Sequence, residues 1–244
     1  MIRAVEERVW AFDLEWVPDP LAGRLLYGLP DSTSDADALA EMWRAGGATD
    51  EDPTPFLKTA VCRIVSIAVV ERRSRGSDEA PTLNLLSLPR DPKSADESRE
   101  ANVIGTFLEA LGKHRPQLVG YNSHDSDLKK LVGGFGKAVP SLHELAVQCG
   151  IPGKMDVDGN DVAAMWLDGR IAEIVAYNEF DALTTYLVWL RMAHFSGLFS
   201  TDGYAREQGC VRALIEREIA GGAKPHLARY LEEWERLRAA TGER

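Results

Sequence analysis

Two carboxylates stand two residues apart near the N-terminus, inside a segment that predicts a buried strand. The segment Val9–Val17 is otherwise apolar or aromatic. Because side chains alternate between the two faces of a strand, Asp13 and Glu15 point one way and Leu14 points the other. Two carboxylates on one face repel each other unless a proton or a cation lies between them, and an apolar setting raises that cost. The pair therefore predicts a divalent metal site that needs further ligands.

A tyrosine and an aspartate occupy one face of the strongest helical pattern in the chain, approximately residues 170–194. Tyr177 and Asp181 are four residues apart, so they share a helix face. We expect them to project from the side opposite an apolar stripe that would pack the helix. The stripe consists of Leu183, Tyr186, Leu187 and Leu190. Taken alone, the pair is better explained by a capping or salt-bridged aspartate beside a packed tyrosine.

A third polar group lies between these two, where a strand end is followed directly by a helix start. Asn122, Asp125 and Asp127 stand there, and capping the helix is the common role of such residues. Three acidic motifs nevertheless follow one another along the chain, each at the end or on the face of a strong element. This order favours one shared site.

The composition is that of an ordinary globular protein. The 244 residues are 45% hydrophobic and 27% charged, with a formal net charge of −10, so we expect only weak non-specific affinity for nucleic acid. The first residues lack the apolar core of a signal peptide. The longest near-apolar run, Ile64–Val70, is too short to span a bilayer. We expect a cytoplasmic protein without a membrane association.

The order of the predicted elements indicates the fold class. Three strands come in succession, followed by a helix, a fourth strand and further helices. The predicted strands cover approximately 9–17, 60–70, 82–88 and 117–121. The predicted helices cover approximately 98–113, 127–132, 141–149, 161–167, 170–194, 204–220 and 224–239. This order is typical of an RNase H-like α/β fold, with a mixed central sheet and flanking helices. We expect one domain over 1–200 and a C-terminal helical extension packed on it over 201–244.

Two segments of the pattern admit two interpretations each. The region 18–55 is rich in turn-forming residues and contains one predicted helix, 35–45. It could be a substrate-facing flap, or a surface loop packed by Trp43 and Phe56. The charged run 71–75 is expected to be a solvated turn, with a phosphate contact as the alternative.

The motifs together resemble the DEDDy class of 3′–5′ exonucleases. Within that class they are most similar to the predicted exonucleases related to the proofreading domain of family B DNA polymerases. The matching stretches are Phe12–Glu15 with its continuation 16–19, Leu118–Asn122 followed by Asp127, Gly150–Lys154, and Tyr177–Asp181. The resemblance covers approximately residues 9–200.

This resemblance implies a two-metal site. Two Mg²⁺ or Mn²⁺ ions would be held by four carboxylates, of which Asp13 would bridge both ions. The four are Asp13, Glu15, Asp127 and Asp181. One ion would lower the pKa of a water to generate hydroxide, and the other would stabilise the departing 3′ oxygen. Oxygen ligands suit these hard cations, whereas zinc would call for histidine or cysteine.

The resemblance also assigns the remaining site residues. Tyr177 would orient the attacking water. The related DEDDh class carries a histidine five residues before the last aspartate, and Ala176 stands at that position here. The tyrosine class is therefore favoured. Residues predicted to contact the substrate are Leu14, Trp16, Asn122 and Lys154.

The chain departs from the family pattern at several positions. Ser126 replaces the usual phenylalanine before the second-motif aspartate, and Asn178 stands where cysteine is common. The connection between Leu131 and Ser141 is shorter than in the family, and no fifth strand is evident in it. The RNase H-like (DEDD exonuclease) sheet could therefore lack or shorten one edge strand.

Three functional hypotheses follow. The leading one is removal of mononucleotides from the 3′ end of single-stranded DNA. The second keeps the chemistry but takes RNA, as RNase D-like enzymes do with the same motifs. The third is a catalytically weak, nuclease-like binding or assembly module. A homo-oligomer or a partner protein is compatible with each of them.

Overall fold

The strand that carries the first acidic motif lies inside a four-stranded mixed sheet. The computed structural model describes residues 4–57, 61–74, 80–120, 141–155 and 161–241. The strands are β1 (Arg8–Pro18), β2 (Cys62–Arg73), β3 (Thr82–Leu88) and β4 (Gln117–Val119). Their order is β3-β2-β1-β4, with β1 antiparallel to β2 and parallel to β4, and β2 antiparallel to β3. The predicted three-stranded meander and the fourth strand are thereby confirmed.

Helices cover both faces of this sheet. Within the described ranges they are α1 (Pro20–Tyr27), α2 (Asp35–Ala45), α3 (Glu100–His114), α4 (Leu142–Gln148), α5 (Val162–Leu167), α6 (Ile171–Phe195), α7 (Thr201–Ala220) and α8 (Leu227–Thr241). This is the α/β architecture of an RNase H-like exonuclease fold, as predicted. The short connection between Leu131 and Ser141, up to residue 140, and the predicted helix 127–132 fall outside the described residues. None of the helices in the described ranges combines the length and apolarity needed to cross a bilayer.

The strand residues divide between two cores by alternation. Trp10 on β1 and Ile67 on β2 face α3 and pack with Val103. Val9 and Ala11 face the other way and join the larger cluster built around α6. Since Asp13 and Glu15 continue the series that begins with Val9 and Ala11, β1 directs both carboxylates towards α6.

Helix α6 is buried on nearly all sides, which corrects the expectation of a single packed face. Its residues from Ile174 to Ala193 are buried with few exceptions. The helix lies against β1 and β2 on one side and contacts α4, α5 and α7 on others. Tyr177, expected to project outward, is only 4% exposed. The reason is that residues of β1, β2, α2 and α5 pack around Tyr177, while α7 contacts the apolar stripe at Tyr186.

The charged end of β2 also differs from the prediction, because β2 continues as a strand through Arg73. Arg72 is buried, and its Nη2 lies 2.6 Å from Oε1 of Glu207 on α7. The Tyr186 hydroxyl donates to the same carboxylate at 2.9 Å. Burying a charge is tolerated when it is paired and hydrogen-bonded in this way. Arg72 therefore ties the sheet to two helices and is not part of a solvated turn.

The region 18–55 forms two helices. Helix α2 has the predicted bounds, whereas α1 was not predicted. Asp19 caps α1 by accepting from the backbone N–H of Leu21 at 3.0 Å. A Cβ added at Gly23 would lie 2.7 Å from Met42 Sδ, so the glycine permits the close approach of α1 and α2. Trp43 packs against the core as expected, but Phe56 is 80% exposed and meets the edge of Trp16.

The two C-terminal helices complete the core on the α6 side. Val211 and Leu214 of α7 and Tyr230 and Trp234 of α8 belong to the same buried cluster as α6. The Phe180 and Tyr230 rings stack with centroids 5.7 Å apart. Division of the chain at residue 200 stays a prediction.

Candidate active site

Strand β1 brings the first two carboxylates to a point where its pairing with β2 becomes irregular. The register is regular up to Glu15, which pairs with Ser66, and then shifts so that Trp16 pairs with Ile64. Such a bulge adds a residue to one strand, and bulges are frequent beside active sites because they redirect side chains. Asp13 and Glu15 thus stand just before the irregular end of a buried central strand.

Helix α6 supplies a third carboxylate. One oxygen from each of Asp13, Glu15 and Asp181 lies within 4.8 Å of the other two. The side chains come from β1 and α6, which are packed directly against each other. Three carboxylates at these distances can share a cation, and they repel one another when all are ionised without one.

The protein environment favours the neutral forms of these acids. Burial, followed by the charge of Asp181, raises the pKa of Asp13 to about 8. Burial likewise raises the pKa of Asp181 to about 6, against the opposing effects of Tyr177 and Lys154. Burial and the two neighbouring carboxylates hold the pKa of Glu15 well above its usual range. Ionising all three acids at neutral pH therefore requires added positive charge.

Tyr177 lies one helical turn before Asp181 and donates its hydroxyl to that carboxylate. Burial is the largest cause that raises the pKa of the phenol, and the charges of Asp181, Glu15 and Asp13 raise it further. The hydroxyl consequently stays protonated at any physiological pH. It can orient a neighbouring group by hydrogen bonding, but it cannot serve as a base.

The turn that carries Lys154 borders the three carboxylates. Lys154 is exposed, and its charge lowers the pKa of both Glu15 and Asp181, so its ammonium lies close to them. The backbone N–H of Lys154 donates to Nδ1 of His143 at 3.0 Å. A Cβ added at Gly153 would lie only 2.1 Å from that Nδ1. A glycine at 153 is therefore needed for His143 to hold the turn in this position.

Two of the other predicted substrate contacts, Leu14 and Trp16, lie in the part of the chain that the structure describes. Leu14 faces away from the carboxylates and packs in the α3-side core. Trp16 is half-buried and lies edge-on to Phe56, with centroids 6.1 Å apart. Asn122 and Asp127 lie outside the described residues. The last described residue before that segment is Gly120. A Cβ added there would lie 3.4 Å from the ring of Phe12, the residue that precedes Asp13.

Comparison with protein families fits this geometry. The chain matches the model of a family described as a predicted 3′–5′ exonuclease related to the exonuclease domain of PolB, over residues 54–132 and 123–234. The chain belongs to this family. The matched range includes Lys154, Tyr177 and Asp181, whereas Asp13 and Glu15 precede it. Neither the curated proteins nor the solved structures gave a match.

One residue of the candidate site was missed by sequence reasoning. Asn178, noted only as a departure from the family pattern, is fully buried and donates from Nδ2 to Asp13 Oδ2 at 2.8 Å. Its Oδ1 accepts from Ser66 Oγ at 3.3 Å. The available signal was the presence of two polar residues inside otherwise apolar elements, β2 and α6. Their mutual contact, across 112 residues of sequence, could not be inferred from it.

Proposed function

We propose that this chain is a metal-dependent exonuclease that removes mononucleotides from the 3′ end of single-stranded DNA. The observation that carries the proposal is the convergence of Asp13, Glu15 and Asp181 within 4.8 Å, beside a buried tyrosine. Membership of a family of predicted 3′–5′ exonucleases supports the direction of cleavage. The net charge of −10 favours an enzyme that holds one strand end over one that grips a long duplex.

The donor atoms of the site fit divalent cations. All three described ligand candidates are carboxylates, the hard donors that suit Mg²⁺ and Mn²⁺. Their raised pKa values indicate a site whose ionised form needs a compensating charge. We propose Asp127 as the fourth ligand, on the second sequence motif. When bound, two such ions would supply the charge that lowers the pKa of an attacking water and stabilises the departing 3′ oxygen.

The neighbouring side chains have separate tasks in this proposal. Tyr177, kept protonated, orients the attacking water by hydrogen bonding. Lys154 meets the scissile phosphate, because its charge already acts on Glu15 and Asp181. Trp16 and Asn122 contact the terminal nucleotides, whereas the Leu14 side chain packs on the α3 side of the sheet, away from them.

A labelled-strand assay tests the function. Purified protein with Mn²⁺ is given single strands labelled at the 5′ end, one of DNA and one of RNA with the same sequence. We expect a ladder of DNA shortened from the 3′ end, and loss of the ladder with EDTA. Preferential cleavage of RNA would assign the substrate to the alternative class. Binding of Mn²⁺ and DNA without any cleavage would favour the binding-module hypothesis.

A substitution of Asp13 tests the assignment of the metal site. Asp13→Asn keeps the size of the side chain but removes a charged ligand, so the cleavage rate should fall by ~10³-fold. Asp52→Asn is the matched control, because Asp52 is exposed on the loop after α2. The control should cleave at the wild-type rate. Full activity in Asp13→Asn would contradict the assignment.

A further inference from the structure

A buried carboxamide connects the first acidic residue to the middle of a neighbouring strand. Asn178 is on α6, its Nδ2 donates to Asp13 Oδ2 on β1 at 2.8 Å, and its Oδ1 accepts from Ser66 Oγ on β2 at 3.3 Å. Both Asn178 and Ser66 are fully buried. Three elements that are distant in sequence are therefore joined by one chain of hydrogen bonds that ends on a carboxylate of the proposed metal site.

Ser66 faces α6 by the same alternation as Ala68 and Val70, and a bulge in β2 follows directly on its N-terminal side. Glu15 pairs with Ser66 and Trp16 pairs with Ile64, so Val65 is the additional residue. Val65 packs in the cluster that contains Tyr177, and Ser66 bonds to Asn178, so both side chains face α6. In a regular strand two consecutive residues would face opposite sides of the sheet. The irregularity thus adds Val65 to the α6 side of the sheet, next to Ser66.

The chemistry of the amide gives this chain of hydrogen bonds a direction. The carboxamide nitrogen only donates and the carboxamide oxygen only accepts. Because an ionised Asp13 carboxylate only accepts, the amide turns its NH₂ group towards Asp13, and the Ser66 hydroxyl donates to the Oδ1 on the other side. The bond occupies one lone pair of Oδ2, and a carboxylate offers about four such positions. The backbone N–H of Leu14 also donates to this carboxylate. The two hydrogen bonds together restrict the orientation of the carboxylate, and its remaining positions are left for cations.

We propose that Asn178 is a positioning residue that orients Asp13 for metal binding, and that Ser66 fixes the Asn178 amide. This inference rests on the proposed function. Hydrogen bonds from outside the ligand set commonly orient ligands in this way, and their loss costs about 10–100-fold in metal affinity or activity. The competing explanation is that Asn178 only satisfies buried polar groups, in which case its loss would affect stability alone.

The test measures Mn²⁺ binding by the metal-free full chain, by electron paramagnetic resonance or calorimetry, together with cleavage and thermal unfolding. Asn178→Ala should weaken Mn²⁺ binding by about 10–100-fold and lower kcat while KM for DNA changes little. Ser66→Ala should weaken Mn²⁺ binding by about 3–10-fold, the effect of losing one ordinary hydrogen bond. Ser66→Thr keeps the hydroxyl and should restore affinity to near the wild-type value.

Tyr186→Phe is the matched control, since it removes a buried hydrogen bond from the same helix without touching Asp13. It should lower stability and leave Mn²⁺ affinity unchanged. Wild-type affinity in a folded Asn178→Ala would overturn the inference while leaving the exonuclease proposal intact. If Asn178→Ala does not fold, equal affinities of Ser66→Ala and Ser66→Thr would overturn it instead. A wild-type chain that neither binds Mn²⁺ nor cleaves DNA would overturn the proposed function, and with it this inference.

Discussion

At the scale of single residues, the buried phenol of Tyr177 is the group whose chemical role is most narrowly defined. Its hydroxyl donates to Asp181, and burial with three nearby carboxylates keeps it protonated. Tyr177→Phe removes only that hydroxyl. We expect kcat for 3′ cleavage to fall by ~10²-fold while KM changes little, because the hydroxyl acts on the attacking water more than on binding.

Steady-state kinetics on a labelled single strand would measure this effect. Tyr27→Phe is a suitable control, because Tyr27 is 41% exposed at the end of α1. The control should match the wild type in both parameters. An unchanged kcat in Tyr177→Phe would show that the tyrosine only packs beside Asp181.

At the scale of elements, the sequence predicted the parts with strong periodicity and missed the parts that depend on distant partners. Helix α2 and the strand order were predicted correctly because their patterns are local. Helix α1 was missed because a glycine in a sequence usually indicates a helix break. In the structure, Gly23 lies within α1 and allows Met42 of α2 to pack against it. The end of β2 was missed because Arg72 is stabilised by Glu207, 135 residues further along the chain.

The turn after α4 gives a prediction at this scale. Gly153→Ala would place a methyl group 2.1 Å from Nδ1 of His143, so either the ring or the turn must move. The hydrogen bond from the Lys154 N–H would then be lost, and the lysine would shift from the carboxylates. We expect kcat/KM to fall by about 5–10-fold, with a modest loss of stability because the exposed His143 ring can yield.

A double-mutant cycle would check this cause. In a His143→Ala background the methyl group of Gly153→Ala meets no ring, so the second substitution should cost little more. The two substitutions are then strongly non-additive in kcat/KM. Fully additive effects would mean that His143 does not hold the turn.

At the scale of the whole molecule, the sequence indicated which acidic residues come together in the fold. It did not indicate which contacts hold them in place. The order of the three acidic motifs and the resemblance to the exonuclease family predicted that Asp13, Glu15 and Asp181 serve one site, because neither the alternation along β1 nor the i, i+4 spacing on α6 is specific alone. Their meeting within 4.8 Å depends on how α6 packs on the sheet. Asn178 could not be predicted, because its partners come from β1 and β2 and are adjacent only in the folded chain.

The acidic cluster should also make global stability depend on pH in an unusual direction. The folded-state pKa of Asp13 is raised to about 8 and that of Asp181 to about 6, both above the ordinary value of an aspartate. A group with a raised folded-state pKa stabilises the fold fully below its unfolded-state pKa, and this contribution is lost as pH rises through the folded-state pKa. The metal-free protein should therefore lose stability from about pH 4 to about pH 8.

Thermal unfolding with EDTA across this window would measure the loss. Since ~1 kcal/mol corresponds to about 2–4 °C for a chain of this size, we expect Tm to fall by about 5 °C or more between about pH 5 and pH 8. In Asp13→Asn the fall should be smaller, so the Tm difference from the wild type grows with pH. Saturating Mn²⁺ should remove the fall, because the cation binds the ionised carboxylates. A metal-free wild type and an Asp13→Asn variant with parallel Tm profiles would contradict the close approach of the three acids.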